Sequence, residues 1–77
     1  MLRAVIIEDI ETIREEYTAL IRLHCPSVTV VGQADSVASG VQLIRDLTPD
    51  LVFLDIDMPD GTGFDLLQQL TPVTFKV

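Results

Sequence analysis

The stretch Leu51-Val52-Phe53-Leu54-Asp55-Ile56-Asp57-Met58-Pro59-Asp60-Gly61-Thr62-Gly63 decides the fold. Its first four residues are the most continuous apolar run in the chain and stop abruptly in acid at Asp55. That is the pattern of a strand buried on both faces of a parallel sheet, with its C-terminal end opening into a crevice. Met58 to Gly63 reads as a loop, punctuated by Pro and Gly. Phe64, Leu66, Leu67 and Leu70 then space out as a short helix that Thr71-Pro72 ends, and Val73, Phe75 and Val77 alternate with polar residues as the opening of a fourth strand.

Working upstream, the same signature recurs: Val5-Ile6-Ile7 is β-branched and halts at Glu8-Asp9. From Ile10 the apolar positions Ile13, Tyr17, Leu20, Ile21 and His24 define one side of an amphipathic helix, which Pro26 closes by disfavouring helical geometry at Cys25. Tyr17, at helical spacing, is expected to pack in the core. Val28 to Val31, followed by Gly32 and Ala34, predicts a second strand despite imperfect alternation. Ser36 is placed to cap a second helix whose inner face is Val37, Gly40, Val41, Ile44 and Leu47, closed by Thr48-Pro49. Gly40 inside a helix costs up to about 1 kcal/mol against Ala. Either a close contact with the sheet requires its missing side chain, or the helix is weaker there.

Strand and helix alternate with short connections, so the expected class is α/β: an open parallel sheet with right-handed crossovers and helices on its faces. In such sheets the ligand crevice lies beyond the C-terminal ends of the strands. Two adjacent central strands would end there in Glu8-Asp9 and in Asp55. Three carboxylates in one crevice repel and raise each other's pKa, and a hard divalent cation removes that penalty. Oxygen donors without His or Cys suit Mg²⁺. A carboxylate held this way can act as a nucleophile towards a phosphoryl group, giving an aspartyl phosphate.

Composition narrows the remaining classes. Seventy-seven residues make one small domain, which buries only roughly 60% of its unfolded surface. Five Lys and Arg against twelve Asp and Glu give a net charge of −7, which argues against direct nucleic-acid binding by this chain. Cys25 is the one cysteine and His24 the one histidine, so neither a disulfide nor a thiolate or imidazole zinc site can be assembled, and Cys25 is read as a small buried hydrophobe. No apolar run approaches the roughly 18 residues that span a bilayer, and acid at Glu8 interrupts any signal-peptide core. A cytoplasmic location is expected. Glu15, Glu16, Asp60 and Asp65 are read as solvated or helix-start charges.

Ile6-Ile7-Glu8-Asp9 and the run from Asp50 through Asp55-Ile56-Asp57-Met58-Pro59 and Gly63 to Leu67 together resemble the receiver domain of two-component response regulators. The resemblance implies a flavodoxin-like, doubly wound sheet of strand order 2-1-3-4-5. It implies that a histidine kinase passes a phosphoryl group to Asp55, that Glu8, Asp9 and Asp55 hold Mg²⁺ with the main-chain carbonyl of Asp57, and that Met58, Pro59 and Gly63 shape the loop beside the acceptor. It also implies a Thr or Ser ending the fourth strand and a Lys ending the fifth. Thr74 and Lys76 are placed too early to be those residues. The expectation is therefore a partial receiver over residues 1–77, lacking the fourth helix, fifth strand and fifth helix, with impaired activity of its own. Its helices and terminal segment are similar to receivers that precede LytTR-type DNA-binding domains, implying a DNA-binding output domain in the parent protein.

Two other readings compete. Leu54-Asp55-Ile56-Asp57 with Gly61-Thr62 resembles the start of haloacid-dehalogenase-like phosphatases, with Asp55 as nucleophile and Asp57 as general acid, although that motif belongs on a first strand. A receiver-like binding module that is never phosphorylated is the other. In either case the open edge at Val73 to Val77 predicts homodimers or strand-swapped oligomers.

Overall fold

A computed structural model describes all of residues 1–77. The chain runs β1 (Leu2–Ile7), α1 (Glu11–His24), β2 (Val28–Ala34), α2 (Val37–Leu47), β3 (Leu51–Leu54), β4 (Asp57–Met58), β5 (Gly61–Thr62) and α3 (Gly63–Gln69). The three long strands form a parallel sheet in the order β2-β1-β3, so β1, the first strand of the chain, is central and the two later strands flank it. This is the expected doubly wound arrangement, with β1 starting earlier than its β-branched run suggested.

The imperfect alternation of β2 has a local cause. Ala4 pairs with Val30 but Val5 pairs with Gly32, so Val31 is an extra residue in a β-bulge. A bulge shifts the side-chain alternation by one position along the strand. On one face of the sheet Val5, Ile7 and Val52 pack with Val37, Val41 and Ile44 of α2 and Leu66 of α3 in a single buried cluster. Val5, Ile7, Val52 and Leu66 are wholly excluded from water, each worth about 1.5–3 kcal/mol in transfer free energy. Gly40 belongs to the close-contact alternative: a β-carbon there would lie 2.9 Å from both Ile7 Cδ1 and Leu66 Cδ1.

Ser36 caps α2 as expected, its side chain accepting from the Ser39 amide in a reciprocal box. Thr62 and Asp65 make the same box for α3, which makes Asp65 a helix-start charge.

Four expectations need correction. Residues 58–63 are not a plain loop: Asp57 pairs with Thr62 and Met58 with Gly61 in a small antiparallel hairpin. The fourth strand amounts to one parallel bridge, Lys76 to Leu51, with Val52 N–H donating to Lys76 O and Lys76 N–H to Asp50 O; its side-chain alternation was legible, but only one residue reaches the edge of β3. Tyr17 and Leu20 are about half exposed, at 49% and 52%. In α1 Thr18 and Ile21 are buried, while Tyr17 lines an open groove beside the edge strand β3 with Phe53 and Ile56. Cys25 is half-buried rather than core, because it lies just past the last turn of α1.

Candidate functional site

Parallel pairing of β1 with β3 ends at Ile7 opposite Leu54, so the next residues of both strands leave the sheet at the same edge. Glu8 and Asp55 are held there by backbone bonds: Glu8 N–H donates to Ala34 O at 3.0 Å and Asp55 N–H to Ile7 O at 3.0 Å. Carboxylate oxygens of Glu8, Asp9 and Asp55 lie within 4.8 Å of one another. Glu8 is buried, and Asp9 and Asp55 are half-buried. Asp55 Oδ1 also accepts from the Ile56 amide at 2.8 Å.

Crowding shows in the electrostatics. Burial first, and then Asp55, which can share a proton with Glu8 and repels it when ionised, push the Glu8 carboxyl above its ordinary 4.5; the Ile10 amide opposes them. A buried acid facing two more acids has no compensating cation among its neighbours. Arg14 engages backbone instead, its Nη1 donating to Glu8 O at 2.8 Å. The donor set is all oxygen, concentrated in charge and partly dehydrated, and its chemistry fits Mg²⁺.

The other residues singled out in the sequence sit around this cluster in different ways. Asp57 starts the hairpin and its side chain is exposed. Met58 is buried in the main core and anchors the hairpin, while Pro59 is exposed at its turn. Gly63 is buried against Asp55: a β-carbon there would stand 2.6 Å from Asp55 O, and its amide donates to Ile56 O at 2.8 Å.

Two participants were not legible in the sequence. Arg14 reads as a polar spacer between apolar positions, yet it is half-buried and ties α1 to the backbone of Glu8. Asp60 reads as a solvated charge, yet its carboxylate accepts from Val37 N–H at 2.7 Å and Ala38 N–H at 2.9 Å, the first turn of α2. Its carboxyl is held below the ordinary range, the Ala38 amide contributing most and the Val37 amide next. No local pattern connects residue 60 with residue 37.

Residues 4–76 match the family model described as the response regulator receiver domain. The chain is similar to the sensory transduction protein LytT of Enterococcus faecalis, 44% identical over 70 residues that cover 91% of this chain and 28% of that protein. It is 45% identical over 74 residues to an uncharacterized response regulatory protein of Vibrio parahaemolyticus, covering 96% of this chain and 30% of the relative. Among solved structures, a DNA-binding response regulator of the LuxR family from Staphylococcus aureus superposes with a TM-score of 0.91 at 29% identity, over 100% of this chain and 65% of that one. The response regulator domain of Thermotoga maritima CheB does so at 0.89 and 25%, over 97% and 56%. The chain thus spans about 30% of the length of the first two relatives. No helix is long and apolar enough to cross a membrane.

Proposed function

Because this chain belongs to the response regulator receiver domain family of two-component signalling, we propose that it accepts a phosphoryl group on Asp55 from a histidine kinase. The observation that supports this most directly is the convergence of Glu8, Asp9 and Asp55 at the ends of two adjacent parallel strands, with ligand atoms within 4.8 Å. Glu8, Asp9, Asp55 and the main-chain carbonyl of Asp57 would hold Mg²⁺, which when bound neutralises charge on the phosphoryl oxygens.

The chain's own residues carry the remaining work. An Asp55 carboxylate oxygen attacks phosphorus in line, the phosphorus–nitrogen bond of a phosphohistidine breaks, and the leaving imidazole nitrogen keeps the electron pair and takes a proton. The Ile56 amide on Asp55 Oδ1 orients the carboxylate. Arg14 and the strand hydrogen bonds fix the backbone of Glu8 at the sheet edge beside Asp55.

The product is a signalling state, an aspartyl phosphate, rather than a turned-over substrate. The phosphatase reading is set aside, since the matching family is the receiver and the acid pair that faces Asp55 has no part in that motif. For the whole protein the proposal extends to a cytoplasmic regulator with a DNA-binding output domain, in keeping with the DNA-binding solved neighbour. It also includes pairing of two chains along the outer edge of β3, where Lys76 alone bridges; sedimentation as a monomer at micromolar concentration would refute that part.

Intact mass after incubation with acetyl phosphate, with and without Mg²⁺, tests the central reading. The expected result is a Mg²⁺-dependent phosphoryl adduct that Asp55→Asn abolishes. An adduct that persists in Asp55→Asn would assign the nucleophile elsewhere, and no adduct would deny phosphotransfer to residues 1–77 by themselves.

A further inference from the structure

The hairpin that follows Asp55 has only two paired residues on each side, far too few to hold itself together in water. Its outward tip is nonetheless tied down. Asp60 spans the first turn of α2 with both carboxylate oxygens, Oδ1 to the Val37 amide and Oδ2 to the Ala38 amide. Beside it, a β-carbon at Gly61 would meet Val37 Cγ2 at 3.3 Å, so the whole tip is seated on α2. At the other end Met58 is sunk in the core and the Gly63 amide closes on Ile56 O.

A helix start leaves four amides without intrahelical partners. In α2 these are the amides of Ser36, Val37, Ala38 and Ser39; the Ser39 amide donates to Ser36 Oγ and the Ser36 amide to Ser39 Oγ, so the reciprocal box satisfies two of them locally. The two amides left over are the two that Asp60 takes. The bond therefore does something besides capping: it joins the acceptor loop to an element 22 and 23 residues earlier in the chain.

We infer that Asp60 is a positioning residue for the cation site: by gripping the first turn of α2 it fixes the hairpin that carries Asp57, and with it the main-chain oxygen assigned above as a ligand. This rests on the reading of the acid cluster as a Mg²⁺ site. The favourable meeting of a carboxylate with a helix N-terminus keeps Asp60 ionised at neutral pH and the grip intact. Outer partners that orient metal ligands typically change metal affinity about 10–100-fold when removed.

The test is a calorimetric Mg²⁺ titration of the 77-residue chain against Asp60→Ala, Asp60→Asn and Ser36→Ala. Ser36→Ala also weakens the start of α2 but does not touch the hairpin, so it separates loop positioning from helix stability. The expected result is affinity at least about tenfold weaker in Asp60→Ala, intermediate in Asp60→Asn, whose single amide oxygen can hold only part of the grip, and unchanged in Ser36→Ala. Equal affinity in the unaltered chain and both Asp60 variants overturns the positioning role alone. An equal loss in Ser36→Ala overturns it too, reducing Asp60 to a helix cap. Absence of Mg²⁺ binding by the unaltered chain overturns the cation site itself and the inference with it. Should Asp60→Ala fail to fold, Asp60→Asn against Ser36→Ala decides.

Discussion

Gly63 and the carbonyl of Asp55 are in backbone contact: a β-carbon on residue 63 would lie 2.6 Å from Asp55 O. Real β-carbons do not approach backbone that closely, and backbone, unlike the end of a side chain, cannot swing aside. The start of α3 is thus pressed against the residue proposed to carry the phosphoryl group. Gly63→Ala is expected to displace the two segments and to destabilise the chain by about 1–3 kcal/mol. Urea denaturation measures it, and an unchanged midpoint would show that the contact relaxes freely.

Glu8→Gln should raise stability in the absence of divalent cations. The Glu8 carboxyl titrates above its ordinary value in the folded chain, so from about 4.5 upward to that raised value the folded state binds more protons than the unfolded. Stability therefore falls as pH rises through that window. Removing the charge removes the fall, and it also removes stabilisation by Mg²⁺. Thermal melts at pH 4 and pH 7, with and without Mg²⁺, check both; a variant still stabilised by Mg²⁺ as strongly as the unaltered chain would show that Glu8 is no ligand.

Asp60 contributes with the opposite sign. Its carboxyl titrates below 3.8 in the folded chain, so the stability it adds is fully present above that value and is lost as pH falls through the lowered one. The gap in denaturation midpoint between the unaltered chain and Asp60→Asn should be constant from pH 5 to 7 and narrow below pH 4. A gap independent of pH down to 2 contradicts the assignment.

Gly40→Ala pits propensity against packing. Alanine gains up to about 1 kcal/mol in a helix interior, but its β-carbon would meet Ile7 Cδ1 and Leu66 Cδ1 at 2.9 Å, and both residues are wholly buried. With the core closed on all sides, overpacking at about 1–3 kcal/mol prevails. Net destabilisation on the order of 1 kcal/mol is expected in equilibrium unfolding; a more stable variant would mean that the two methyl groups rotate away without strain.

Legibility differed by residue. Val5 to Ile7 announced a strand buried on both faces, as it is; Leu51 to Leu54 reads the same way, yet only Val52 is buried and Phe53 lines the open groove. The acids that end both strands marked the open edge of the sheet. Ser36 announced the start of α2 because capping is a matter of four consecutive residues. Tyr17 misled, since spacing shows which residues share a helix face but not how much of that face meets the sheet. The segment Val73 to Val77 alternates as a strand does, yet only Lys76 makes ladder bonds, because pairing depends on where the chain re-enters beside β3.

What the sequence by itself determined is the order of the three long strands and three helices, the β2-β1-β3 sheet through the receiver resemblance, and the choice of the three acids Glu8, Asp9 and Asp55. The elements and the acids follow from patterns of burial and charge within a few residues of each other; the strand order is what the resemblance implies. Only the tertiary structure decided that Arg14 braces Glu8, that Gly63 touches Asp55, and that Asp60 grips α2 through the amides of Val37 and Ala38. The physical reason is that backbone amides and carbonyls are the same at every position. Which of them a side chain meets is set by packing between segments distant in the chain, and no residue type records it.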